Sequence, residues 1–276
     1  MTLSFNNAPL VELIAELRWN QLPQMGAVPA PPAPQGIQQP TMFVLGHNAV
    51  EEFLMRVGGE VYQRGYRLAE RLVPPGFPIM PSQAVCRYRS SDANKASTMY
   101  QAGFGTFTVN AVPPYKSWEE FAPVVAGGVD ALLAARQPEG NLPQFLSVSL
   151  RYIDAFRETL TEGHDVSSFL SDVLGFTVGL PEVVSRKIAV DQKAKPSIQL
   201  SVPLANGMRM DMGIGEGMVN NEGAVLMDTT VSAVEPVEAD RDAIMAVMNA
   251  AHDIIHEVFM EVTKPIQGLM QPNERG

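Results

Sequence analysis

The sequence predicts a mixed α+β protein, two βαβββα-type repeats of antiparallel sheet with helices packed on one face, and three observations carry that prediction. Along residues 9–19, Val11, Leu13, Ala15, Leu17 and Trp19 alternate with Glu12, Ile14, Glu16 and Arg18, the period-two pattern of a half-buried strand. Two helix starts are marked by capping-box patterns, Asn48 with Glu51 and Ser117 with Glu120. The order strand, helix, three strands, helix then occurs twice, over residues 1–140 and again over 141–276.

The first strand has a helical alternative, because Leu10, Leu13, Ile14 and Leu17 also fit a 3.6-residue period; the charged alternate positions favour the strand. Residues 22–40 carry Pro29, Pro31, Pro32 and Pro34, which remove amide donors and hold the chain extended, so an exposed connector is expected there. A helix opened by Asn48 runs through Phe53, Leu54 and Val57. Its expected course bends at Gly58-Gly59, resumes over residues 62–72 and stops at Pro74-Pro75-Gly76. Strands follow at 84–89, 96–101 and 106–112, and the Ser117 box opens a helix toward Arg136 despite Pro123 and Gly127-Gly128.

In the second half, 146–153 is the opening strand, 165–174 a short helix, and 198–202, 208–212 and 224–231 the three further strands. A last helix runs from Asp240 to before Pro265, and a polar tail beyond Gly268 is expected to fray. An additional strand over 182–190 is the point where the parallel is least regular. Leu17-Arg18-Trp19 and Leu150-Arg151-Tyr152 echo one another in the two opening strands.

Composition bounds the function. With 276 residues, 46% hydrophobic and 18% charged, the chain can bury a core and does not have the makeup of a disordered protein. No apolar run reaches the ~18 residues of a membrane span, residues 1–8 carry no export signal, and a single cysteine, Cys86, points to a reducing cytoplasm. A net charge of −10 without a basic cluster disfavours a phosphate-backbone partner.

Five patterns bear on chemistry. His252 and His256, four residues apart on the last helix, have the spacing of a zinc pair. Asp253 and Glu257, however, point away from them, and both histidines flank a stripe of Ile244, Met248, Ala251, Ile255, Val258, Phe259 and Val262. Boundary histidines on a core helix are the favoured reading. Gly213-Ile214-Gly215-Glu216-Gly217 lacks the lysine and following helix of a phosphate loop and is expected to be a glycine-rich hairpin. Arg64, Arg67 and Arg71, taken at helical spacing, with Arg87, Arg89 and nearby tyrosines form the candidate anion or partner surface, against the plainer alternative of a solvated face. Ser167-Ser168 beside His164 and Asp165 lack a nucleophile elbow and suit a helix start. Met208, Met210 and Met212 share one strand face, where core packing is expected.

Several patches together carry a resemblance: Asn7-Ala8-Pro9-Leu10-Val11-Glu12, Glu16-Leu17-Arg18-Trp19, Phe107-Thr108-Val109-Asn110, 115–121, Leu150-Arg151-Tyr152-Ile153-Asp154, and the closing helix from His252 to Phe259. They resemble a sporadically distributed, largely uncharacterised prokaryotic family of about this length. None of the patches is a catalytic signature. The resemblance implies a context, phage-defence or mobile-element neighbourhoods, and no mechanism; the Pro-rich segment departs from the pattern.

No acid, base and nucleophile come together in the sequence. The expectation is therefore a non-enzymatic binding or regulatory protein without a cofactor, holding a protein partner or small ligand, with a homodimer open and nucleic acid and membrane disfavoured. The alternatives are a metal-dependent hydrolase using His252 and His256, and a nucleic-acid-binding protein using the arginine surface.

Overall fold

The first strand, β1 (Leu10–Trp19), sets the plan of the molecule. In the computed structural model, which describes residues 5–20, 47–115, 117–136 and 142–272, Leu13, Ala15, Leu17 and Trp19 are buried while Glu12, Ile14, Glu16 and Arg18 face the other way. The alternation of the sequence is thus the alternation of a strand with one face in the core. The chain continues as α1 (His47–Gln63), β2 (Leu68–Arg71), β3 (Ala84–Arg89), β4 (Thr98–Gly103), β5 (Thr106–Ala111) and α2 (Trp118–Arg136). The second half is β6 (Phe145–Phe156), α3 (Glu158–Thr161), α4 (Val166–Ser168) continued by a π turn over Phe169–Val173, α5 (Glu182–Ser185), β7 (Ile198–Pro203), β8 (Met208–Val219), β9 (Glu222–Ala233) and α6 (Arg241–Val262).

Among the described residues nine strands make one antiparallel sheet in the order β2-β3-β4-β5-β1-β6-β9-β8-β7. The expected α+β architecture with antiparallel strands is present. The strands of the two halves join into one sheet because β1 pairs with β6 along Leu10–Trp19 and Phe145–Asp154. Outward from that seam the order is parallel on both sides: β5, β4, β3 on one, β9, β8, β7 on the other, with β2 an extra edge strand.

The helices lie on the face to which β1 turns its apolar side. Helix α1 packs on β3 and β4, α2 on β5 and between α1 and α6, and α6 on β6 and β9. One cluster fills the space beneath α1, α2 and α6, with Leu17, Phe107, Leu132, Leu150 and Met248 fully buried. A second, around Phe156, Phe169, Met212, Ile214 and Met227, lies under the short helices and the end of α6. The halves are also tied where Arg136 stacks its guanidinium on Trp19 and Phe145, 4.8 and 4.4 Å from the ring centroids. Burial lowers the pKa of Arg136 to about 10.

Several local expectations are corrected. Helix α1 runs unbroken through Gly58-Gly59 and ends at Gln63, and residues 68–71 form an edge strand, because Tyr66 turns back into the core and Leu68–Arg71 pair with β3. Helix α2, by contrast, continues through Pro123 and its glycine pair to Arg136 as expected; Gly128 is required there, since a Cβ would meet Tyr100 Cε1 and Val109 Cγ2 at 2.8 Å. Residues 213–217 lie inside β8 and are no hairpin; the turn is Asn220-Asn221, both at positive φ (54° and 66°), the two-residue geometry that asparagine tolerates. Residues 182–185 are helical where a strand was expected. The tail to Pro272 is held, Met270 fully buried and the Asn7 amide donating to its carbonyl at 2.9 Å. The Pro-rich 22–40 lies outside the described residues.

Candidate binding surface

The sheet face opposite the helices is polar from strand to strand. In register one row runs Gln101, Thr108, Glu16, Ser149, Ser232, Arg209, and the next runs Asn110, Ile14, Arg151, Thr230, Asp211, Ser201. The middle of this face is a trough of about 820 Å³ crossing the β1–β6 seam, lined by strand residues and by none from a described helix. The sequence dictates this: along β1, β5, β6 and β9 the residues that line the trough are hydroxyl, amide or charged, with Ile14 the exception.

The charges in the trough are held as pairs. Arg151 donates from Nε to Asp228 Oδ1 at 2.7 Å and from its terminal nitrogen to Oδ2, a two-pronged contact between neighbouring strands. That hydrogen bonding raises the Arg151 pKa against the opposing effect of burial, with the Asp228, Glu16 and Glu12 charges acting in the same direction. Asp211 accepts from Ser201 at 2.6 Å and from Arg209 at 2.9 Å, and these contacts hold its carboxyl below the usual range, the serine hydrogen bond first. Thr108 donates to Asn110 Oδ1 at 2.6 Å, and Asn110 donates to Glu12 at 2.7 Å, a chain that fixes a buried amide. Arg18 pairs with Glu16 at 2.9 Å.

Chemically this is a surface of oriented donors and acceptors, with Arg18, Arg151 and Arg209 each set against a carboxylate and Glu12 held by the Asn110 amide. A general base needs a carboxylate or imidazole whose proton affinity is tuned toward neutrality. In the trough the one carboxylate with a resolved shift, Asp211, moves the other way, and the described imidazoles all lie elsewhere. Ser201, the trough serine that donates to Asp211, therefore meets a carboxylate held in its charged, weakly basic form.

His252 and His256 lie across the sheet, on α6. His252 is buried and His256 half-buried, so the first sits deeper than the expected core boundary. The Tyr152 hydroxyl is 2.9 Å from His252 Nδ1, and the His252 ring stacks on Trp118 (centroids 4.9 Å, 9° between planes) and toward His256 (5.6 Å, 21°). Stacked imidazoles carry their lone pairs side by side, where an ion needs them to converge. Among the described residues no three His, Cys, Asp or Glu side chains are disposed to hold a metal. Burial, then the His256 charge, lowers the His252 pKa to about 4, which Asp253 and Glu119 only partly oppose.

The candidate arginines are distributed over different sides of the fold. Arg71 turns to the helix side and makes a forked contact with Glu51 at 2.7 and 2.8 Å; Arg87 and Arg89 share Glu70 on the open face at 3.5 and 3.1 Å. Arg64, just past α1, pairs with Glu60 at 3.0 Å, and Arg67 lies over Tyr62. Their helical spacing is lost because residues 68–71 are a strand, so the five form no single basic face. Cys86 is half-buried, and burial raises its thiol pKa against the pull of Arg71. Asp165 caps α4, accepting from the Ser168 amide at 2.9 Å, the helix start expected for this pair.

One buried group escaped the sequence reading. Asp154 is 3% exposed in β6, paired in register with Leu10 and Met227, and burial together with the Asp228 charge raises its pKa to about 7. Its signal was available: counting by twos from Leu150 and Tyr152, the next core position is an aspartate. Thr229, cross-strand from Tyr152, is buried with its hydroxyl unpartnered. Compared with models of protein families, with the curated proteins and with solved structures, the chain finds no match in any of the three.

Proposed function

We propose that this protein is a non-enzymatic binding or regulatory protein that holds a protein partner on the open face of its sheet. The observation that supports the reading is the asymmetry of the two layers. Helices cover one face, while the other presents an unbroken polar trough at the seam of the halves. Pre-paired Arg151–Asp228 and Arg209–Asp211 favour a partner of mixed charge over a polyanion, because a phosphate backbone would have to break each pair to gain an arginine.

The matching order of strands on the two sides of the seam supports an origin by duplication, with the trough at the join. A role in a phage-defence or mobile-element-associated system belongs to the same proposal and rests on the sequence resemblance alone. The test is site-specific photo-crosslinking in cells of the source organism, with the probe at Thr230 in the trough and, as control, at the exposed Glu120 on α2. A protein captured from Thr230, not from Glu120, and lost on Arg151→Ala supports the reading. Equal capture from both positions, or turnover of a substrate abolished by Arg151→Ala, refutes it.

A further inference from the structure

The edge strands of the sheet differ. β2 is four residues long and carries Glu70 and Arg71, the short, charged form that discourages pairing with another chain. β7 at the opposite end, Ile198-Gln199-Leu200-Ser201-Val202-Pro203, carries no charge, and its outer edge is paired with no described strand. The segment leading into it, residues 177–197, is exposed over nearly its whole length and is rich in apolar side chains. Val178, Leu180, Val183, Val184, Ile188 and Val190 are all exposed, Val183 by 60% and Val190 by 88%. Six such residues within thirteen, beside an unprotected edge, are more than the scattered apolar exposure of a monomer surface.

The charge of this segment differs in sign from that of the body. Arg186, Lys187, Lys193 and Lys195 outnumber Glu182 and Asp191 in a chain whose net charge is −10. Lys193 and Lys195 are already turned onto body carboxylates of their own chain, Asp165 at 2.6 Å and Glu216 at 2.9 Å. A basic, apolar arm next to an uncharged edge fits an acidic body that offers the same edge in return. An antiparallel strand pair about a two-fold axis supplies that arrangement, since each edge meets itself without like charges in register.

We infer that β7 and the arm before it form the interface of a homodimer. In it two β7 edges pair antiparallel, the sheets continue through the two-fold axis, and each arm lies against the partner's body. The contacts proposed here are the backbone edge of β7 and the arm; Gln199 and Ser201 of β7 also line the trough, so each proposal is tested at residues of its own, Val183 and Val184 here, Thr230 and Arg151 there. The chain mass is 30.0 kDa, so sedimentation velocity or light scattering of the full chain should give twice that. Val183→Asp with Val184→Asp changes residues already exposed in the single chain, and it should weaken the dimer at least tenfold while the thermal melt of the monomer is kept. Spin labels at single cysteines along 198–202, in a Cys86→Ser background, should give inter-subunit distances with a minimum at the two-fold axis that grow away from it by a step approaching about 7 Å per residue, twice the strand rise. A monomer at about 100 µM, the range in which even weak dimers form, overturns the inference. So does a dimer indifferent to the double variant, label distances without that step, or a monomer that pairs β7 with a different protein.

Discussion

Replacing Asp154 by Asn should make the protein more stable, and increasingly so as the pH rises. The carboxyl lies almost wholly buried in β6 and ionises at about 7 in the fold, against about 3.9 in an unfolded chain. Between those values the unfolded chain has released the proton and the folded one still holds it. The unfolded state therefore binds fewer protons, and stability falls as pH rises from about 4 to about 7. Each pH unit of difference corresponds to about 1.4 kcal/mol, so the penalty approaches about 4 kcal/mol at pH 8, an order-of-magnitude figure. Asparagine keeps the shape and cannot ionise. Urea unfolding at pH 4.5, 6 and 8 should show wild type and Asp154→Asn converging at the acid end and diverging by several kcal/mol at the alkaline end. A difference that is the same at all three pH values, or a wild type more stable at pH 8, would refute burial as the cause of the raised pKa.

Three further outcomes are expected. His252 titrates at about 4 in the fold and near 6.5 unfolded, so its contribution runs opposite to that of Asp154: stability is lost as pH falls from 6.5 toward 4, by about 3 kcal/mol as an order of magnitude. His252→Leu should flatten that acid limb in the same urea series. Gly128→Ala should cost about 1–3 kcal/mol, because its methyl would enter the space of Tyr100 and Val109; a melting temperature within a degree of wild type would contradict the packing described. Arg151 and Asp228, being about two-fifths exposed, should show a coupling below about 1 kcal/mol in a double-mutant cycle of unfolding, with the larger effect of Arg151→Ala appearing in partner capture.

The elements of this fold were legible where a periodic face met a core. The alternation in 9–19 and the Ser117 box located β1 and α2 because burial on one side forces that spacing. The stripe on α6 was legible for the same reason as far as Ile255, although Val258, Phe259 and Val262 are only half-buried and join the second cluster. Misreadings fell where tertiary pairing overrode local preference. Residues 68–71 have helical composition but are recruited by β3. The glycines at 213–217 suggested a turn, yet pair along β9 through the long hairpin that ends in Asn220-Asn221. The trough was invisible for a different reason. Its residues are far apart in the chain, from Glu12 to Ser232, and only the strand order brings Ile14, Arg151 and Thr230 into one row. What sequence did supply was the chemistry of each strand's outer face, without the order in which those faces are laid together.

The β1–β6 seam has a consequence for how the chain is made. β1 finds β5 within the first half, but its other flank must wait for a strand whose residues lie about 140 positions later, as in Leu13 against Tyr152. On a ribosome adding about 5–20 residues per second, the interval between completion of β5 and delivery of β6 lasts several seconds. Throughout it the middle strand of the finished protein is a temporary border, with its backbone donors and acceptors unclaimed. Whatever shields Leu10–Trp19 in those seconds, a chaperone or the partner chain of a neighbouring ribosome, decides whether the nascent half waits for its own second half or joins another copy's.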